Sequence, residues 1–156
     1  MQELTKILNN FGDSNPNILK TKFSGIIKID TCLDLVELVE KLKTKIENEP
    51  WELRYCSRII PIQKICQTDL EIIKQNIIDL IPSILPNQTY RISIEKRDSK
   101  LVRNDIISNI ANLLINNVSL EKPDWEIIIQ IIGDETGISI MPKNSILSIS
   151  KLKRLD

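Results

Sequence analysis

The chain has 156 residues, enough for one ordinary domain or two small ones sharing a surface. Its 42% apolar content with few Gly and Pro excludes a disordered chain, and with only 4% aromatic residues the Ile-rich core should be aliphatic. Lys plus Arg equals Asp plus Glu at 21 each, which excludes coating of nucleic acid by bulk charge and leaves room only for a local basic patch.

In chain order, residues 2–11 carry Leu4, Ile7 and Leu8 at helical spacing and end in the turn cluster "GDSNPN". Two short strands are predicted next, "ILKTKF" and "GIIKID", with Gly25 near their connection. A long helix, "TCLDLVELVEKLKTKIEN", is predicted from Thr31, with Leu35, Leu38, Val39, Leu42 and Ile46 on one face. Its Thr31 and Asp34 stand at capping-box spacing, and Pro50 stops it. The segment "WELRYCSRII" is predicted as a strand ending at Pro61. Helix, strand, strand, helix, strand makes a ferredoxin-like half without the strand expected ahead of its first helix. An open sheet edge needs protection, so a chain that begins late is the expectation.

From about Gln63 the predicted order changes to helix, strand, helix, strand, strand. "TDLEIIKQNIIDLIP" opens with Thr68 and Glu71 in capping-box register and closes at Pro82. "TYRISIEK" alternates like a half-buried strand, whereas "WEIIIQII" is nearly solid aliphatic, as a central strand buried on both faces would be. The intervening helix "NDIISNIANLLINN" turns Ile106, Ile107, Ile110, Ala111, Leu113 and Leu114 inward. Strand, helix, strand at this spacing predicts a parallel pair joined by a crossover, and "GDETGISIMP" predicts a tight turn into an antiparallel partner. The expected class is therefore α/β (α+β), with one part at 1–62 and a second at 63–156.

Catalytic chemistry finds little support. No histidine is present, which removes the commonest general base and every Ser/His/Asp or Cys/His site. The four glycines, Gly12, Gly25, Gly133 and Gly137, build no phosphate loop. Asp134 and Glu135 read as a solvated turn. Cys32, Cys56 and Cys66 form no CxxC pair and read as small buried or free thiols of an intracellular protein. No enzyme active site, cofactor or small-molecule substrate is expected. No apolar run is long enough to span a bilayer and Met1 leads straight into a polar helical pattern, so the cytoplasm is the expected location.

The basic residues are more informative. Residues 91–103 carry Arg91, Lys96, Arg97, Lys100 and Arg103 against Glu95 and Asp98, a local net of +3. A charge run is usually a solvated face, but this one enters a helix amino terminus. There the helix dipole opposes cations and favours a bound phosphate. In "WELRYCSRIIPIQK" the charges are Arg54, Arg58 and Lys64 against Glu52, a net of +2. Tyr55 lies between the arginines, and Tyr with Arg can stack on unpaired bases, although a strand edge with ordinary polar residues looks the same. Lys151, Lys153 and Arg154 form a weaker third cluster.

The order "RYCSRIIPIQKIC", "YRISIEKRDSK" and "SLEKPDWEIIIQIIGDETGISIM" resembles the THUMP-domain proteins that act as tRNA-binding cofactors for cytidine acetylation. The shared features fall on Arg58 to Pro61, on Arg97 in the basic loop, on Leu120, Pro123 and Asp124, and on Gly137, Ile138 and Ser139. The resemblance covers roughly residues 50–150; the preceding residues fit a ferredoxin-like half by pattern alone. It implies an RNA-binding module of the kind that holds the acceptor end of tRNA in modifying enzymes. Without a fused catalytic domain, it implies a stand-alone cofactor. Its partner would be a large acetyltransferase that uses acetyl-CoA and ATP to make N4-acetylcytidine in tRNA.

The expected RNA contacts are Lys96, Arg97, Lys100 and Arg103 on one side of a groove and Arg54, Tyr55, Arg58 and Lys64 on the other. Two other classes stay open. One is the RNA-binding fragment of a larger modification enzyme. The other is a protein-interaction adaptor that contacts the acetyltransferase or a second copy of itself.

Overall fold

A computed structural model describes residues 2–153. The chain divides into two compact units, one made of the residues up to Ile60 together with those from Ile146 onward, the other of Pro61–Ser145.

The first unit opens with α1 (Gln2–Asn10), which buries Leu4, Ile7 and Leu8 as its helical spacing predicts. β1 (Asn17–Lys20) and β2 (Ile27–Asp30) then form an antiparallel hairpin, Asn17 opposite Asp30 and Lys20 opposite Ile27. The turn between them holds Gly25 at φ 82, and the Thr21 hydroxyl donates to the Ile26 carbonyl at 2.8 Å across its base. α2 (Leu35–Asn48) buries Leu38, Val39, Leu42 and Ile46 on one stripe.

α2 begins later than the Thr31 start predicted from sequence. Its cap is Asp34, whose carboxylate accepts from the Glu37 N–H at 3.0 Å, while the Thr31 hydroxyl donates to Asp13 Oδ2 at 2.6 Å. A tertiary acceptor took the hydroxyl that local spacing had assigned to the helix.

The predicted strand at 51–60 also gives way. Pro50–Glu52 is a single 3-10 turn, and only Arg58–Ile59 (β3) is extended, paired antiparallel with Leu147–Ser148 (β8). Proline at the start of the turn favours the tight helical geometry. The backbone N–H groups of Arg54 and Tyr55 donate to the Glu3 carboxylate, at 3.0 and 3.3 Å, rather than to a neighbouring strand. α5 (Ile149–Lys153) ends the described chain. Arg154 of the carboxy-terminal basic cluster lies outside the described residues.

The second unit is a four-stranded sheet with helices packed on one face. Its order is β4 (Lys64–Gln67), β7 (Glu135–Pro142), β6 (Trp125–Ile132) and β5 (Tyr90–Arg97). β5 and β6 are parallel, with Tyr90 beside Trp125 and Arg97 beside Ile132, and β6 and β7 are antiparallel. The parallel pair is joined through α4 (Arg103–Ala111), as the strand, helix, strand pattern predicts. β4 was not foreseen; four residues of mixed polarity carry no period of their own and become a strand only against β7.

α3 (Leu70–Leu80) is capped by Asp69, whose carboxylate accepts from the Ile72 N–H at 3.1 Å. The predicted cap, Thr68, instead shares a hydrogen bond with the Thr136 hydroxyl at 2.8 Å. Ile73 and Ile77 of α3 and Ile106 and Ile110 of α4 meet Ile127, Ile129, Ile131, Ile138 and Ile140 of the sheet in one core that also takes in Tyr90 and Ile94. Each fully buried Ile contributes about 1.5–3 kcal/mol of transfer free energy. Glu126, Ile128 and Gln130 are buried on the opposite face of β6, so that strand is covered on both sides.

Candidate nucleic-acid interface

The basic loop follows from the way β5 runs out into α4. Asp98 takes a left-handed φ of 55, Ser99 Oγ accepts from the Leu101 N–H at 3.2 Å, and Lys96 Nζ donates to the Leu101 carbonyl at 2.7 Å. Val102 then stands at the cap of α4, and no side chain among the described residues caps that helix. Arg103, the first residue of α4, turns back and donates to the Ile94 carbonyl at 2.8 Å. Arg97 donates to Glu95 at 2.9 Å and to Gln130 at 3.4 Å. Lys100 is exposed and makes no hydrogen bond or ion pair to another described residue.

These contacts separate the cations by charge state of the surroundings. Arg97 is ion-paired, and so is Arg91, whose guanidinium meets the buried Glu126 carboxylate and also donates to the Leu120 carbonyl at 3.0 Å. Lys64 pairs with Asp79 at 2.9 Å on the way from β4 to α3. Lys96 and Arg103 bond only neutral carbonyls, so with Lys100 they retain uncompensated positive charge around the loop. Lys96, Lys100 and Arg103 therefore lie where β5 gives way to α4, whereas Arg97, at the end of the same strand, turns its guanidinium to Glu95 and Gln130 on the other face of the sheet. Lys64 lies on the same unit, on the opposite edge strand of the sheet.

In the first unit, Arg54 and Tyr55 follow the 3-10 turn and are exposed, Tyr55 by 84%. Arg58 sits in the short β3 pair opposite Ser148. Trp51, which the sequence reading passed over, is 59% exposed in the same segment. The available signal was its neighbourhood, since two of the chain's few aromatic residues fall four positions apart.

Burial raises the thiols of Cys56 and Cys66 above their ordinary value, which is the wrong direction for a nucleophile. Among the described residues no group of three His, Cys, Asp or Glu side chains converges as a metal site would require. No helix among them is long and apolar enough to cross a membrane.

Residues 67–141, which span α3, α4 and all of β5 to the end of β7 but its last residue, match the family model of the THUMP domain. The chain carries a THUMP domain. No curated protein matches the chain. Among solved structures, PH1313 from Pyrococcus horikoshii Ot3 superposes with a TM-score of 0.66 at 14% identity, over 90% of this chain and 47% of that one. TrmN from Thermus thermophilus superposes with a TM-score of 0.61 at 11% identity, over 89% of this chain and 41% of that one. At these identities the likeness is one of fold. The chain spans less than half the length of either protein.

Proposed function

We propose that this protein is a tRNA-binding cofactor that presents tRNA to a separate acetyltransferase for N4-acetylcytidine formation in the cytoplasm. The THUMP match at 67–141 carries the reading, together with the residue pattern that resembles the acetylation cofactors. The cations at Lys96, Lys100 and Arg103, none of them ion-paired to a described residue, supply the phosphate contacts, with Arg97 at the end of the same strand completing that side. Arg54, Tyr55 and Arg58 on the first unit and Lys64 on the second complete the proposed RNA-contacting set. The reaction itself is assigned to the partner, because this chain contributes no histidine and burial raises the thiols of Cys56 and Cys66.

A second reading is favoured by the length of the similar structures, each more than twice the matched part. In it the chain is the RNA-binding portion of a longer tRNA-modifying protein. The test compares binding of intact tRNA and of tRNA lacking its single-stranded acceptor end at low and high salt, followed by acetylation with the separate enzyme. Salt-dependent binding that needs the acceptor end, with acetylation stimulated by the chain, supports the cofactor. Binding without stimulation favours the second reading. Retained partner binding in high salt with no RNA affinity would make the chain a protein adaptor instead.

A further inference from the structure

The segment from Pro50 to Tyr55 is fastened through the backbone of Glu52, Leu53, Arg54 and Tyr55, yet it displays large aromatic surface. The Glu52 N–H donates to the Glu49 carbonyl at 3.0 Å and closes the 3-10 turn. Leu53 is anchored at 1% exposure, and its carbonyl accepts from Lys153 Nζ at 2.6 Å. The next two N–H groups, of Arg54 and Tyr55, both go to Glu3 Oε2. A loop held this way loses little further conformational entropy when it binds.

What it holds outward is Trp51 and Tyr55, with Arg54 between them extending its guanidinium without a bond to any described residue. The other aromatic residues behave differently. Tyr90 is buried, Trp125 is half-buried and donates to Gln88 Oε1 at 2.7 Å, and Phe23 and Phe11 are half-buried beneath Lys22 and Lys41.

We propose that Trp51 and Tyr55, flanking Arg54, form a stacking platform for unpaired nucleotides of the bound RNA. The inference rests on the tRNA-binding reading and adds to it a base-contacting element on the first unit. Aromatic faces stack on any base, and a guanidinium adds cation–π attraction or a phosphate contact. The segment's one aliphatic residue, Leu53, is buried, so what it offers is aromatic and cationic surface, and the partner arm of the test separates RNA from protein as its occupant. Glu52 and Glu3 offset the charge of Arg54, so stacking rather than phosphate attraction carries the contact. That part of the affinity should therefore resist salt better than the Lys100 loop does.

The Trp125→Phe protein leaves Trp51 as the sole indole, and its fluorescence is followed during titration with two RNAs, a hairpin with a single-stranded overhang and the same hairpin made blunt. The overhang RNA should quench Trp51 and the blunt one should not. Trp51→Ala and Tyr55→Ala should each weaken binding of overhang RNA about fivefold or more. Phe at either position should restore most of it, with the thermal midpoint and blunt-hairpin affinity unchanged. Unchanged overhang binding in both Ala variants, with tRNA still bound, overturns the platform and leaves the tRNA reading standing. No RNA binding by the parent protein overturns both. Loss of acetyltransferase binding with full RNA affinity overturns the platform in favour of a protein contact.

Discussion

Arg103 donates to the Ile94 carbonyl at 2.8 Å, tying the first residue of α4 to the outer edge of β5. β5 is an edge strand, and Tyr90 bonds Asn117 and Ser119 on its open side, so Ile94, four residues on, presents its carbonyl in the same direction. A side chain that sequence spacing had read as a phosphate ligand thus also closes an unpaired acceptor on the sheet edge.

Two variants separate these roles. Arg103→Ala should lower stability by about 1–2 kcal/mol in urea denaturation, because a charged donor is removed from a carbonyl. Lys100→Ala should change stability by less than about 0.5 kcal/mol and flatten the salt slope of tRNA binding by about 0.7–0.9. A large stability loss at Lys100, or none at Arg103, would reverse the assignment.

The Arg91–Glu126 pair is structural. The Glu126 side chain is 4% exposed and also accepts from Ser93 Oγ at 3.1 Å. Arg91→Ala leaves a buried carboxylate without its counter-ion, with an expected cost on the order of 2–3 kcal/mol once the partial exposure of the arginine is allowed for. Arg91→Ala combined with Glu126→Gln should recover part of that loss in a double-mutant cycle. Additive losses would show that the pair is not coupled.

Gly137 has a packing reason rather than a backbone one. A Cβ there would lie 3.0 Å from Ile62 Cδ1 and Cγ2, while its φ is not in the left-handed region. Gly137→Ala should lower stability by about 1 kcal/mol and Gly137→Val by about 1–3 kcal/mol. In combination with Ile62→Ala the glycine substitution should cost less than it does alone, and thermal melts of the four proteins decide it.

Asp13 binds together the end of α1 and the approach to α2. Its carboxyl is held below the usual aspartate value mainly by the Thr31 hydroxyl, with burial opposing and the N–H groups of Asn15 and Cys32 assisting. A depressed folded value stabilises the protein above the unfolded value of about 3.9, and the contribution is lost as pH falls through the folded value. The urea midpoint of the parent protein should therefore fall toward that of Asp13→Asn below about pH 4. A constant gap between the two across that range would exclude the linkage.

The sequence by itself determined the elements whose own pattern decides their environment. "WEIIIQII" is nearly solid aliphatic rather than alternating, and it became the doubly covered β6, with Glu126 and Gln130 buried beside Ile128 on one face. The stripes of α1 and α2 named their buried residues, and the spacing of β5, α4 and β6 required a parallel pair. It also placed Lys96, Arg97, Lys100 and Arg103 close along the chain, where a strand gives way to a helix. Only the tertiary structure decided which of the chain's cations are compensated, because the answer can depend on partners far along the chain, as with Arg91 and Glu126 or Lys64 and Asp79. The same holds for β4, which needs β7 to be a strand, and for residues 51–60, where Glu3 took the N–H groups that a longer strand would have paired. Hydrophobic period is a local property of a segment. Hydrogen-bond and charge partners are chosen among all groups that folding brings within reach.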